Sequence, residues 1–293
     1  MGSPPSIDEG PERYRARLFG IAYRMLGDVQ DAEDLVQEAM LRWQRQENES
    51  PARVREPEGW LVAVVTRLAI DRLRHLATER AAYPGPWLPE PVAPERLAPD
   101  YRAELASDLS MAFLVMLERL APEERAAFLL REVFAADYDE IARVLGKGEA
   151  AARQTVHRAR ERVRADRPRF AAPPPDAAER LFHRFVAALE TEDKESMLAL
   201  LAADASWTSD GGGKVSAARR VVRGADRIAR MLLGIEAKYA RPFTYRLARL
   251  NGEPAVVQYV GDRVFAATFC ETDGERLTAL YRVMNPEKLR LVD

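Results

Sequence analysis

Residues 146–167 read GKGEAAARQTVHRARERVRADR, and from Glu149 to Arg167 they hold six arginines against three acidic side chains. The Gly-Lys-Gly opening breaks the chain, and a helix is expected from Glu149 onward. On it, Ala152, Val156, Ala159 and Val163 share one face at helical spacing, so that stripe packs inward. Arg153, His157, Arg160 and Arg164 form the adjacent face, and Arg158 with Arg162 flanks the other side. Just upstream, YDEIARVL (138–145) is a short amphipathic helix whose Asp137 and Glu140 have capping-box spacing. A short helix, a glycine turn and a second basic helix make a helix-turn-helix. The small Ala150 near the start of the basic helix permits entry into a major groove. Arg153 and Gln154 are the candidates for base edges, and His157 is a further DNA-binding candidate on that helix. Arg158, Arg160 and Arg164 are assigned to phosphates, which fix register without reading sequence.

The chain as a whole is not basic. Its 293 residues carry 44 Lys plus Arg against 46 Asp plus Glu, so basic surface is local and acidic surface lies elsewhere. Cys270 is the single cysteine, which rules out a disulfide framework, and with three histidines in total no metal site is expected. No cofactor is expected either. There is no run of 18 apolar residues, so no membrane span is indicated, and MGSPPSIDEGPERY (1–14) lacks the charge and hydropathy order of a secretory signal. A reducing cytoplasm is the expected compartment.

Two proline-rich stretches divide the sequence. AAYPGPWLPEPVAPERLAPD (81–100) holds six prolines, too many for a helix or a central strand, and RFAAPPPD (169–176) reads as a semi-rigid spacer. The expected organisation is a helical bundle at 10–80, a linker at 81–101, a helix-turn-helix domain at 102–168, a second linker at 169–176 and a tail at 177–293. The tail starts with helices at 177–190 and 193–201, has another at 224–239, and then turns to strands. Asn-Gly at 251–252, Gly-Asp at 261–262 and Asp-Gly at 273–274 separate β-rich runs, which predicts a four-stranded antiparallel meander in an α+β domain.

The bundle tells what kind of DNA binder this is. GDVQDAEDLVQEAMLRW (27–43) has Asp28, Asp31, Glu33, Asp34 and Glu38 with no base before Arg42, a surface that repels phosphates and suits a basic protein. The next helix has the opposite bias, with Trp60, Arg67, Arg72 and Arg74. Basic and aromatic groups together suit a partly unpaired strand, although a core position for Trp60 and a solvated outer face for the arginines remain open on the residues alone.

DAEDLVQEAMLRW, GWLVAVVTRLAIDRLR and YDEIARVLGKGEAAARQTVHRARERV, in this order and spacing across about residues 10–167, resemble bacterial extracytoplasmic-function (ECF) sigma factors. The resemblance implies that the acidic helix, with Asp31, Asp34, Gln37, Glu38 and Arg42, docks on the β′ clamp helices of core RNA polymerase. It implies that the arginine-rich helix melts the −10 element of a promoter, and that the helix-turn-helix reads the −35 element and meets the β flap. WLPEP (87–91), DGGGK (210–214) and NPEKL (285–289) further resemble signatures of one subgroup, the SigJ-like proteins with a fused C-terminal SnoaL-like domain, a cone-shaped sheet capped by helices. Glu287 stands where that motif often has Asp, and Gly148 where Ser is common.

The three subgroup motifs are expected to form one regulatory contact inside the molecule. Trp87, Leu88 and Glu90 of the linker would meet Asp210, Gly211, Gly212, Gly213 and Lys214, with Asn285, Pro286 and Leu289 completing the surface. The glycines would let backbone approach closely, and Lys214 would pair with Glu90. Relatives of SnoaL-like domains include cyclases, isomerases and binding modules, so fold does not decide whether the tail is an enzyme. His183, Asp204 and Asp210 are its only evident acid/base candidates. His183 is expected on a helix surface and Asp210 in a turn, so no catalytic residue is assigned. The reading is a sigma factor whose tail regulates it, with a small-molecule ligand in the tail's cavity as a further partner the resemblance admits. The alternative is a bifunctional protein whose tail turns over a small molecule.

Overall fold

The structure, a computed structural model, describes residues 10–49, 54, 56–104, 109–166, 176–239 and 243–292. The spacer at 169–176 lies, apart from Asp176, outside the described residues. The chain forms two compact units. One holds Met1–Ala77 and Leu117–Ala165, the other Thr78–Met116 and Asp166–Asp293.

The first unit is helical. α1 (Arg15–Leu26) is buried almost all round, with Leu18, Phe19, Ala22, Tyr23, Met25 and Leu26 fully enclosed. Such a helix needs partners, and α2 (Val29–Glu49) and α6 (Pro122–Glu132) pack against it, with most of α3 (Pro57–Ala81) in the same unit. α2 buries Ala32, Val36, Ala39, Met40 and Trp43 on one stripe, as its periodicity predicts. α6 is locked to α1 by Arg125, a buried guanidinium that donates to the Met25 carbonyl at 2.5 Å and to Glu118 at 2.6 Å. α7 (Tyr138–Leu145) and α8 (Glu149–Asp166) pack through Ile141, Ala142 and Val144 against Ala152 and Val156. At the start of α7 the Asp137 N–H donates to Glu140 Oε2 at 3.0 Å, half of the expected capping box.

The second unit is built on a six-stranded sheet. β1 (Leu201–Asp210), β2 (Val222–Arg223), β3 (Phe243–Leu250), β4 (Glu253–Val260), β5 (Arg263–Thr272) and β6 (Leu277–Val283) lie in the order β2-β1-β6-β5-β4-β3. The four-stranded antiparallel meander is present as β3 to β6. It is not the whole sheet, which corrects the expected strand count. β1 pairs parallel to β6 and antiparallel to β2. LAADASWTSD has few β-branched residues, so its strand state comes from pairing and burial rather than from local preference.

Both faces of the sheet are covered. α9 (Ala177–Glu190), α10 (Lys194–Leu200) and α11 (Ala225–Tyr239) bury Phe182, Phe185, Met197, Ile228 and Leu232 with Trp207, Val256 and Leu280 on one face. On the other, Val257, Phe269 and Val283 pack with Leu88, Ala93 and Met111, which come from the linker and the start of α5 (Met111–Leu117). Residues 88–93 are all buried. The solvated linker expected at 81–101 is therefore part of the tail's unit, as are α4 (Pro99–Glu104) and most of α5. The apolar side chains of a proline-rich segment are what bring it there. Val92 exchanges two hydrogen bonds with Asn251 in the Asn-Gly turn, its N–H donating to Oδ1 at 2.7 Å and its carbonyl accepting from the Asn251 N–H at 2.8 Å.

Glu253, next to that turn, accepts the Met111 N–H at 2.6 Å. Burial pushes its carboxyl up to about 8, with the nearby Glu271 adding to the effect and the Met111 N–H opposing it. Because the folded chain keeps this proton while the unfolded chain loses it near 4.5, stability falls as pH rises between 4.5 and about 8. Glu253→Gln, which keeps the acceptor and removes the charge, is expected to raise the melting temperature above pH 8 and to change it little near pH 4.5. Melting curves across this range, with an equal effect at both ends, would dismiss Glu253 as the source.

Candidate nucleic-acid interface and linker clasp

α8 turns its apolar stripe inward as the sequence requires, with Ala152, Val156 and Ala159 fully buried and Val163 nearly so. The opposite side is left outward. Ala150, Arg153, Gln154 and His157 are all exposed. Arg153 pairs with Glu149 one turn earlier and lies 4.1 Å over the Tyr138 ring.

The arginines assigned to phosphates have work inside the unit as well. Arg158 lies 3.5 Å and Arg162 2.9 Å from Glu124, a nearly buried carboxylate of α6. Arg160 holds Glu132 at 2.9 Å, which raises the arginine pKa further. Arg164 is the most exposed of the set, 3.4 Å from Glu161. A chain read alone cannot show that the flanking arginines pin α8 to α6.

The candidates on α3 are similarly engaged. Trp60 is half-buried and meets Trp43 edge-to-face at 5.6 Å, so it packs on α2. Arg67 donates to the carbonyls of Arg143 and Val144 at 2.5 and 2.9 Å, capping the end of α7. Arg72 pairs with Asp31 at 3.0 Å, which joins a DNA candidate to a polymerase candidate. Arg74 bonds Asp71 at 2.9 Å and Glu123 of α6 at 2.8 Å. Lys147 also bonds Glu123, and together these cations hold its carboxyl below the ordinary range.

On α2, Asp34 and Gln37 are exposed, and Glu38 and Arg42 pair with each other at 2.7 Å. Between them stands Leu41, 40% exposed, one of two large apolar side chains at that level of exposure among the described residues. Sequence reasoning passed over it. Its signal was a leucine at i+4 and i+7 from Gln37 and Asp34 on the polar side of an amphipathic helix.

In the second unit the three motifs come together around a buried ion pair. Asp210, at the end of β1, is fully enclosed and lies 2.7 Å from Lys288 Nζ, itself 8% exposed. The same carboxylate accepts the Leu88 N–H at 2.9 Å and the Tyr83 hydroxyl at 2.6 Å, and Lys288 donates to the Leu88 carbonyl at 2.5 Å. Trp87 is stacked between two cations, 3.9 Å from Lys288 and 3.6 Å from Arg80. Burial and the Asp210 hydrogen bond push the Tyr83 hydroxyl well above its ordinary range, so it stays a donor. Asn285 donates to Tyr83 at 3.1 Å, and Leu289 is buried with Leu88. Pro286 opens a short turn of 3-10 helix and is exposed.

The glycines are needed for contact. Gly212 and Gly213 have positive φ, and a Cβ on them would stand 2.5 Å from Asn285 and 2.6 Å from Pro84. Gly211 is also closed to a side chain, by the Val215 carbonyl at 2.6 Å. One expected pair is corrected. Lys214 bonds Glu287, not Glu90, because Glu90 is buried in the linker while Lys214 and Glu287 are both half exposed. Lys288 and Tyr83, central to the clasp, were not singled out from the sequence. A lysine followed by a leucine at a strand end has no local mark of burial.

The acid/base candidates of the tail do not converge. His183 and Asp204 are exposed, and Asp210 is committed to Lys288. On the helix-covered face, Arg282 donates to Gln258, and Gln258 Nε2 donates to the Tyr245 hydroxyl at 3.2 Å. Among the described residues no His, Cys, Asp and Glu cluster is arranged to hold a metal ion, and no helix is long and apolar enough to cross a membrane.

Residues 12–78 match the sigma-70 region 2 family and residues 110–163 the sigma-70 region 4 family. The ECF RNA polymerase sigma factor SigJ of Mycobacterium tuberculosis is 40% identical over 292 residues, covering 94% of this chain and 91% of that protein. The probable ECF RNA polymerase sigma factor SigI of the same organism is 31% identical over 281 residues, covering 94% and 92%. The crystal structure of Mycobacterium tuberculosis SigJ superposes with a TM-score of 0.74 at 35% identity, over 96% of this chain and 97% of that one.

The clasp makes a quantitative prediction. Lys288→Met leaves a buried carboxylate without its cation and is expected to destabilise the second unit by about 3–5 kcal/mol. Lys214→Met removes a half-exposed pair and should cost about 0–1 kcal/mol. Denaturant titration of the full-length variants measures both, and similar small losses would show that buried charge does not hold the linker.

Proposed function

The chain belongs to the ECF RNA polymerase sigma factors, and from that membership we propose how its surfaces divide the work of promoter recognition. The observation that carries the reading is the separation of two outward faces of opposite character in one helical unit. α2 presents Asp34, Gln37 and Glu38 around exposed Leu41, while α8 presents Arg153, Gln154 and His157. The first face suits the basic β′ clamp helices of core RNA polymerase, with Leu41 as an apolar anchor inside a polar ring. The second suits the major groove of a −35 element, with the α6–α8 domain also meeting the β flap. α3 is the −10 element's partner, and Asp31, Arg72 and Arg74 contribute once their present pairs exchange for phosphate or polymerase contacts.

The tail regulates rather than catalyses in this reading, and the protein works in the cytoplasm beside RNA polymerase. Support comes from the clasp, since residues 78–116, which join the −10 and −35 regions in sequence, are built into the tail's own unit. A change in the tail's hold on Leu88 and Trp87 changes the length of chain available between the two DNA-binding regions. In support of this reading, His183 and Asp204, two of the tail's acid/base candidates, are exposed, and Asp210 is paired with Lys288.

In run-off transcription with core RNA polymerase, Leu41→Asp together with Asp34→Lys is expected to abolish holoenzyme formation with the fold intact. Arg153→Ala should cost about 1–3 kcal/mol in promoter affinity and relax preference at its position in the −35 element. Trp87→Ala should alter transcription without altering the DNA or polymerase faces. Wild-type transcription from all three would remove the proposal.

A further inference from the structure

We propose that the tail has a surface of its own for the phosphate backbone of DNA, formed by Arg219, Arg220 and Arg223 along the edge of the sheet. Residues 211–225 hold Lys214 and these three arginines with no Asp or Glu, in a chain whose formal net charge is -2. All three arginines are exposed, as is Arg227 in the first turn of α11. Pairing sets them apart. Many exposed arginines elsewhere meet a carboxylate, as Arg74 meets Asp71, Arg143 meets Asp139, Arg164 meets Glu161 and Arg180 meets Asp176. Among the described residues, Arg219, Arg220, Arg223 and Arg227 have no ion pair or hydrogen bond from their side chains. The two acids that flank the stretch in sequence do not neutralise it. Asp210 is committed to Lys288, and Asp226 already meets Lys194 at 3.1 Å and Arg230 at 2.7 Å.

The backbone beneath these side chains is held at both ends. The Ala218 N–H donates to Ser209 Oγ at 3.2 Å, and the Gly224 N–H donates to the Ala205 carbonyl at 2.8 Å. Between them Val222 and Arg223 pair with Trp207 and Ser206 of β1. Like charges kept close by a fixed backbone repel one another. A run of phosphates relieves that repulsion and releases its own counterions, which is the main source of sequence-independent affinity for DNA. A protein partner fits this surface less well, because the centre of a protein interface needs apolar and aromatic area. Residues 214–227 contain no aromatic side chain, and Val221 is their one exposed large apolar group.

The place of the arginines in the unit points to promoter DNA. The backbone of Arg219 packs on the linker, so closely that a Cβ on Gly85 would stand 3.4 Å from its Cα. That linker joins the region 2 and region 4 segments in sequence. The arginines are therefore carried by the element that runs from one DNA-binding region to the next, and the backbone they meet is that of the spacer between the −10 and −35 elements. Such contacts add affinity and fix register without reading sequence. They do not require the tail to act as a regulator, so this inference stands or falls apart from that reading.

Fluorescence anisotropy tests it, with full-length protein titrated into a labelled random-sequence duplex of about 30 base pairs between about 50 and 200 mM salt. In R219Q/R220Q/R223Q the slope of log affinity against log salt should flatten by about 2.7, that is about 0.9 for each lost phosphate. The deficit of this variant against the wild type should then shrink about fortyfold across that range of salt. Arg220→Gln alone, a milder change, should flatten the slope by about 0.9. R219K/R220K/R223K keeps the charges and should keep the wild-type slope. R96Q/R184Q/R263Q removes three exposed arginines from other elements of the same unit and should keep it too. Melting curves check that each variant folds. An unchanged slope in both R219Q/R220Q/R223Q and Arg220→Gln overturns the proposal. So does an equal flattening in R96Q/R184Q/R263Q, which makes the effect one of net charge, or in the lysine variant. Loss of core RNA polymerase binding by R219Q/R220Q/R223Q with its DNA slope unchanged also overturns it, and reassigns the arginines to an acidic protein surface.

Discussion

The buried pair of Asp210 and Lys288 is the contact on which the second unit's design depends. Two charges taken out of water are tolerated only when every remaining donor and acceptor is met, and here the partners are supplied by a segment remote in sequence. Leu88 gives one N–H and one carbonyl, Tyr83 a hydroxyl, and Trp87 an aromatic face for the ammonium. If the linker left, the pair would lose these partners together, and water would have to replace them. Attachment is therefore cooperative: the linker is held by the whole set of bonds or by few of them. On the proposed regulatory reading, this is the element whose attachment a regulator would bias.

Surface charge in the first unit is shared in a different way. Most candidate DNA-binding arginines are also structural: Arg67 caps α7, Arg72 meets Asp31, Arg74 meets Glu123, and Arg158 and Arg160 tie α8 to α6. Half-exposed pairs of this sort contribute about 0–1 kcal/mol each, so exchange of a carboxylate for a phosphate is nearly neutral in energy. On the proposed reading, the same side chains hold the unit together without DNA and exchange to phosphates when DNA binds. Glu124 is the exception, because it is nearly buried, and Arg158 and Arg162 are accordingly the arginines least able to leave.

Helices were legible in the chain because their signal is local. The stripe of Ala152, Val156 and Ala159, the Asp137 and Glu140 spacing, and the Asn251-Gly252 turn each lie within a few residues and appear where expected. β1 was not legible, since LAADAS takes its strand state from β6, some 70 residues later. The meeting of WLPEP, DGGGK and NPEKL could be inferred from their motifs, but its chemistry could not. Lys214, the lysine whose motif marks it for the contact, lies at the rim with Glu287, while Lys288 occupies the centre. Which of two lysines is buried depends on contacts from residue 83 to residue 288, and no local pattern records that.

Leu41 and Trp87 show the same limit from opposite directions. Both are large apolar side chains on segments that the sequence marks as polar or solvated. Trp87 finds two cations and buried neighbours within its own unit, so its apolar area is largely satisfied by folding. Leu41 remains outward on an acidic helix, where its area gains nothing until a partner covers it. A folded chain that satisfies one and leaves the other has assigned them different tasks. The tryptophan belongs to the molecule's internal hold on its linker, and on the proposed reading the leucine belongs to the surface that core RNA polymerase covers.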